Sequence, residues 1–423
     1  MTATDPHRAI EAIFRIEQAK LIAGLVRMVR DVGIAEELAQ DALVAALEQW
    51  PRSGLPDKPG AWLMAAAKHR AIDRFRRLKL IDRKHAQIEN DQAIDGEAQQ
   101  LELDQVLDDD IGDDLLRLMF IACHPALGKD AQVALTLRLI GGLTTEEVAR
   151  AYLVPEPTVA QRIVRAKRTL AEKRAPFEAP RGPELNQRLA SVLSVVYLVF
   201  NEGYAATAGD DWMRPQLCEE ALRLGRILAE LAPLEAEVHG LVALMELQAS
   251  RLAARRGPDG EPILLLEQNR ARWDQLLIRR GLAALDRARA LVPDLGPYAL
   301  QASIAACHAR ARTAGATDWA SIVGYYGELA QIMPSPIVEL NRAVALAMHM
   351  GPDAGLRIVD ALRDEPLLKD YHLLPSVRGD LLAKLGRTDE ARAEFERAAA
   401  MTQNARERSL LLKRAAECAP DGR

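Results

Sequence analysis

Aromatic residues make up only 4% of the chain, too few for the aromatic-rich pleated faces of a β-sandwich or barrel. Cysteine is sparser still, with four in the chain. Cys123, Cys218, Cys307 and Cys418 stand singly, with no C-x-x-C spacing, which argues against a disulfide framework and suits buried thiols in a reducing compartment. Cys123-His124 lacks a second ligand pair and reads as a packed thiol beside a capping histidine, not as a metal centre. Long apolar runs are missing too: the longest, Leu189 to Phe200, is shorter than a bilayer span. The N-terminus is polar, without the apolar core of a secretory signal, so the expected compartment is the cytoplasm and no membrane contact is expected. Finally, there is no nucleophile–base pair, Gly-rich phosphate loop or metal-ligand spacing, so neither an enzyme nor a cofactor is expected.

What is present favours helices. Ala, Leu and Arg dominate and 49% of the 423 residues are apolar, which excludes global disorder and predicts an all-α fold of about three domains. The formal net charge of −5 hides segregation: residues 1–80 carry 13 basic and 10 acidic groups, 131–180 carry 8 and 5, and 81–130 carry 4 and 13. An acidic block thus separates two mildly basic modules, and that distribution bears on nucleic acid more than the sum does.

The stretch from Leu143 to Leu170 organises the rest. Thr145 is placed to cap a short helix whose Glu146 and Glu147 sit at its positive end. Val154-Pro155 breaks that helix, because the residue before proline is pushed out of the helical region. A second helix starts near Pro157 or Thr158 with Val159, Ile163, Ala166 and Leu170 on one face. Its other face is basic, with Arg162, Arg165, Lys167 and Arg168 followed by Lys173 and Arg174. This is a helix-turn-helix, which lays its second helix in the DNA major groove; an αα-hairpin with a solvated basic face has the same pattern.

Upstream, a helix is predicted from Ile10 to Val32, ended by Gly33, and another from Ala35 to Trp50 that buries Leu38, Ala42, Val44, Ala45 and Leu47. Glu36, Glu37, Gln40, Asp41 and Glu48 are left on an acidic outer face, which serves either solubility or docking to a basic partner. A loop begins at Pro51. The helix from Ala61 to Leu80 then offers Trp62, Ala65, Ala66, Ile72, Phe75 and Leu78 for packing. His69, Arg70, Asp73, Arg74, Arg76 and Arg77 recur at three- and four-residue steps, a pattern able to grip phosphates.

The order A-E-E-L-A-Q-D, Pro-rich loop, A-W-L-M-A-A-A-K-H-R-A-I-D-R-F-R-R resembles region 2 of the extracytoplasmic-function (ECF) sigma factors. The Leu143–Leu170 motif is similar to their region 4. The resemblance implies that Glu36, Glu37, Leu38, Gln40 and Asp41 bind core RNA polymerase. It implies that His69, Arg70, Asp73, Arg74 and Arg77 lie at the start-proximal promoter element, and that Thr158, Gln161, Arg162 and Arg165 read the distal element. His69 stands where many members have Asn, and Ala160 where many have Lys.

Residues 1–80 are accordingly expected to form sigma region 2 and residues 115–176 sigma region 4. Residues 81–114 join them as a flexible tether, twelve acids lying between Asp82 and Asp114 against Arg83 and Lys84. Residues 185–423 are an extension that usual members lack. In it Arg342–Arg363 and Val377–Ala398 superimpose with Gly351 on Gly386, a shift of 35 residues, close to the period of about 34 of tetratricopeptide repeats. A TPR-like α-solenoid that binds a protein or peptide regulator and modulates activity is expected there. Asn201, Glu202 and Tyr204 of F-N-E-G-Y read as a capped helix terminus, or as lining an interdomain contact or ligand site. The expected function is promoter-specific initiation with core RNA polymerase; a stand-alone helix-turn-helix regulator whose repeats sense a partner is the alternative.

Overall fold

The computed structural model describes residues 6–85, 111–152, 154–178, 180, 183–206, 212–258 and 260–418. Its regular elements are helices, and Arg256 and Pro262 form an isolated antiparallel β-bridge. The chain divides into two compact units, Met1–Val195 and Val196–Arg423. Among the described residues no helix is long and apolar enough to cross a membrane.

The first unit contains α1 (Pro6–Val29), α2 (Val32–Ser53), α3 (Pro59–His85), α4 (Ile111–Ala122), α5 (Lys129–Leu139), α6 (Thr145–Tyr152), α7 (Glu156–Glu172) and the first part of α8 (Pro183–Tyr204). The break between α1 and α2 falls earlier than Gly33. Arg30 takes a left-handed backbone at φ 53°, and the Asp31 carboxylate accepts the Ile34 N–H at 2.8 Å. Aspartate is a stronger N-cap than the glycine is a terminator, so Gly33 sits inside the first turn of α2. At the other end α2 runs through Pro51 to Ser53, and Gly54, at φ 84°, closes it with its N–H on the Trp50 carbonyl at 3.0 Å.

On α3 the buried stripe is Leu63, Ala67 and Ala71, while Ala65 and Phe75 are exposed. The helix is therefore rotated from the predicted stripe; two small residues four apart face inward, where they let neighbouring helices approach closely. Of the predicted tether, residues 86–110 lie outside the described residues. Residues 111–114 belong to α4, and Asp114 is buried with ion pairs to Arg27 at 3.4 Å and Arg117 at 3.0 Å. At the end of α4 burial pushes the Cys123 thiol up to about 11. The His124 Nδ1 accepts the Ala126 N–H at 3.1 Å, which closes the turn between α4 and α5 and does not cap a helix as the sequence suggests.

The second unit comprises the rest of α8 with α9 (Pro215–Leu231), α10 (Ala236–Ala249), α11 (Gln275–Leu291), α12 (Pro297–Arg310), α13 (Trp319–Ile332), α14 (Pro336–Met350), α15 (Pro352–Ala361), α16 (Leu373–Lys384), α17 (Thr388–Met401) and α18 (Ala405–Glu417). From α9 onward each helix packs on the next in sequence, and α10 also on α12, the local contact pattern of stacked helical hairpins. Gly351 and Gly386 occupy corresponding turns, α14 to α15 and α16 to α17, at φ 98° and 77°, where a side chain would be strained. Ala391, Phe395 and Ala398 are buried in one core with Leu356 and Leu382.

Tyr204 ends α8 satisfied. Its hydroxyl accepts from Arg251 and its carbonyl from Arg255. The Arg255 guanidinium lies 3.5 Å from the Tyr204 ring centroid and 4.4 Å from that of Trp212, and Arg251 and Arg270 flank Trp273. Rings and guanidiniums alternate, a packing that offsets part of the cost of burying cations. Burial nevertheless pushes Arg255 down to about 10.

Candidate nucleic-acid interface

Helices α2 and α3 are antiparallel neighbours because a short loop after Gly54 returns the chain, and Trp50 and Trp62 pack edge to face across it at 5.2 Å. That packing brings the two predicted sets of site residues together. Arg74 bonds Glu37 at 2.8 Å, and Arg70 pairs with Asp41 at 3.6 Å while also donating to its backbone carbonyl. Both acids are exposed, so each pair contributes at most about 1 kcal/mol and yields readily to a stronger partner. His69 and Asp73 are exposed on the same helix; the side chain of Arg77 lies outside the described residues. Gln40 is half-buried.

Glu36 and Leu38 do not sit on the outer face. Leu38 is core, and Glu36, 5% exposed, is clasped between Arg138 of α5, at 2.7 Å, and Lys167 of α7. Helical geometry explains the correction: Glu36 lies four residues after Val32 and three before Ala39, both buried, so it falls on the inward stripe. The missed signal was an acid on an apolar stripe, which calls for a buried cation. Gln18 adds a bond to the Arg138 carbonyl at 3.1 Å, and Arg15 an ion pair to Glu147 at 3.4 Å. Helices α1 and α2 are thereby joined to α5, α6 and α7.

The turn between α6 and α7 is built as the prolines require, with Val154 outside both helices and Pro155 as the N-cap of α7. The cap of α6 is Thr144, one residue before the predicted Thr145. Its hydroxyl accepts the Glu147 N–H at 3.1 Å, and the Glu147 carboxylate accepts the Thr144 N–H at 2.8 Å. This reciprocal box satisfies two orphan donors where Thr145 would satisfy one. On α7 the buried face is Val159, Ile163, Ala166 and Leu170. Gln161 and Arg165 are exposed, Thr158 is half-buried in the first turn, and Arg162 pairs with Asp130 at 3.0 Å. The outward face thus presents an amide and two guanidiniums, the donor set that base edges and phosphates accept.

Among the described residues no group of three or more His, Cys, Asp or Glu is placed to hold a metal ion. The helices bearing these residues coincide with two family matches, Sigma-70 region 2 over residues 13–81 and Sigma-70, region 4 over residues 117–170. Residues 188–289 match a family of unknown function, DUF6596. An uncharacterized protein, R00370, of Rhizobium meliloti is 42% identical over 388 residues, 91% of this chain and 90% of that one. The probable ECF RNA polymerase sigma factor SigI of Mycobacterium tuberculosis is 28% identical over 172 residues, 40% of this chain and 56% of its own. The ECF RNA polymerase sigma factor SigC of the same species is 26% identical over 163 residues, covering 38% and 82%.

Proposed function

The chain belongs to the ECF group of RNA polymerase sigma-70 factors, proteins that bind core RNA polymerase and promoter DNA and direct transcription initiation, and on that premise we propose how its residues divide the work. Glu37, Gln40 and Asp41 meet the polymerase. Glu36 and Leu38 hold that helix in place from behind. His69, Arg70, Asp73, Arg74 and Arg77 take the start-proximal element, and Thr158, Gln161, Arg162 and Arg165 the distal one.

The observation that carries this reading is the weak pairing of Glu37 with Arg74 and of Asp41 with Arg70 on an exposed seam. Polymerase cations and DNA phosphates would exchange with these partners at little cost. The helical extension modulates activity through a protein or peptide regulator; its residues 185–423 carry 29 basic and 31 acidic groups, too balanced to add much phosphate binding.

Transcription in vitro with purified core polymerase on genomic fragments tests the reading. Specific initiation is expected. Tight fragment binding without polymerase and no initiation would favour a stand-alone regulator instead.

A further inference from the structure

Between α1, α2 and α7 the first unit holds a cleft of about 510 Å³, within the size range of small-molecule sites. Four cations line it: Arg27 and Arg30 from the end of α1, and Lys167 and Arg174 from α7 and the residues after it. Two are committed, Arg27 to Asp114 and Lys167 to Glu36. Arg30 and Arg174 are exposed and make no ion pair among the described residues. Of the acids lining the cleft, Asp31 is occupied in capping α2, which leaves Glu178 as the opposing free carboxylate.

Arg30 and Arg174 share a second property. They are the two non-glycine residues with positive φ among those described, at 53° and 46°. Each follows the end of a helix, where glycine is the residue that adopts this conformation without strain. An arginine there complements the negative end of the helix dipole. Arg27 and Lys173, however, already supply a cation at the ends of α1 and α7 from ordinary helical backbone. Capping accounts for the backbone, since the Arg30 N–H donates to the Val26 carbonyl at 2.8 Å and the Ala175 N–H to the Leu170 carbonyl at 3.0 Å, but glycine would serve both caps with less strain. The arginine side chains are left unexplained by it, and both line one cleft.

We propose that this cleft binds a phosphorylated small molecule of nucleotide type. Its phosphates would engage the guanidinium forks of Arg30 and Arg174, which match phosphate geometry, and its flat part would cover the half-buried Phe177, which also lines the cleft. Such a ligand ties α1 and α2 to α7. This consequence, resting on the function proposed above, opposes the exposure of those helices to polymerase and promoter.

The test is calorimetric titration of the full-length protein with ATP, adenosine and inorganic phosphate. ATP should bind, with adenosine and phosphate at least tenfold weaker. In Arg30→Gly/Arg174→Gly the ATP affinity should fall at least tenfold while the ligand-free melting temperature does not drop, since glycine relieves the backbone. An Arg30→Asn/Arg174→Asn variant, tolerant of the same φ, should behave alike. No ATP binding by the unaltered protein, undiminished binding by both variants, or phosphate binding as tightly as ATP would each overturn the site. Co-purification with core polymerase should weaken under saturating ATP in the unaltered protein and not in the variants; equal behaviour overturns the tie between helices. Absence of polymerase association without ATP would instead count against the proposed function and leave the titration result standing.

Discussion

Glu36 and Glu37 are adjacent acids with opposite fates, and their separation is the sharpest consequence of helix periodicity in the molecule. Glu36 faces Arg138 and Lys167 inside the protein; Glu37 faces Arg74 at the surface. Removing one member of a buried ionic group leaves its partners uncompensated, at a cost of about 3–5 kcal/mol. Glu36→Ala should therefore lower the denaturant midpoint markedly, whereas Glu37→Lys with Asp41→Lys should leave it nearly unchanged and abolish association with core polymerase. Normal stability of Glu36→Ala, or normal co-purification of the double reversal, would refute the respective assignment. A buried imidazole gives a second test at this scale. Burial, with Arg251 and Arg270 adding to it, lowers His308 from 6.5 to about 4. The unfolded chain then binds a proton that the folded chain refuses between those values, so stability is full above about pH 6.5 and falls toward pH 4. The thermal midpoint of the unaltered protein should drop further over that window than that of His308→Gln; parallel curves would show that this residue does not contribute. From sequence, both acids look like one solvated face, because charge alone does not report whether a cation arrives from elements a hundred residues away.

The helix-turn-helix was the most legible element. Val159, Ile163, Ala166 and Leu170 repeat at helical spacing and are the buried residues of α7, and the two prolines fix where α6 stops and α7 starts. A strict period flanked by a breaker leaves one solution. Elsewhere two local signals compete: Asp31 against Gly33 at the start of α2, Thr144 against Thr145 at the start of α6. The winner is the residue whose side chain satisfies more backbone donors. On α3 nearly every face is plausible, since Ala, Trp and Phe surround the helix, and only packing selects Leu63, Ala67 and Ala71. The outward residues of α7 permit a prediction at this level. Arg162→Ala or Arg165→Ala should weaken promoter binding by about 1–3 kcal/mol where the side chain reads a base edge, and reduce the salt dependence where it holds a phosphate. Arg162 must first leave Asp130, an exposed partner, so its substitution should have the smaller effect on affinity. Unchanged transcription from the double variant would remove α7 from promoter recognition.

At the scale of the whole chain, the sequence marks a boundary with Pro176, Pro180 and Pro183, and the structure draws it elsewhere. The division into compact units falls within α8, after Val195. Prolines interrupt helices but do not prevent the helix that follows from packing backward. Arg188, 8% exposed, donates to the Phe120 carbonyl at 2.8 Å, and Ser191 to that of Cys123 at 3.2 Å, with Leu189, Val192 and Leu193 buried beside them. Truncation after Pro176 would strip these groups from α4 and expose apolar surface, so it tests stability as much as regulation. Truncation after Tyr204 keeps α8 and its bonds to α4, and exposes only the part of α8 that belongs to the second unit, Val196, Val199 and Phe200 among it. The protein ending at Pro176 should melt at a lower temperature than the one ending at Tyr204. The longer form should still fold, yet its transcription in cells should differ strongly from that of the full chain. Loss is the expected direction, because the extension adds little net charge and no separate inhibitory segment is evident in the sequence, so its effect must come through contacts that support activity. Equal melting temperatures would return the boundary to the prolines. A protein ending at Tyr204 that is as active and as inducible as the full chain would show the extension to be dispensable for initiation.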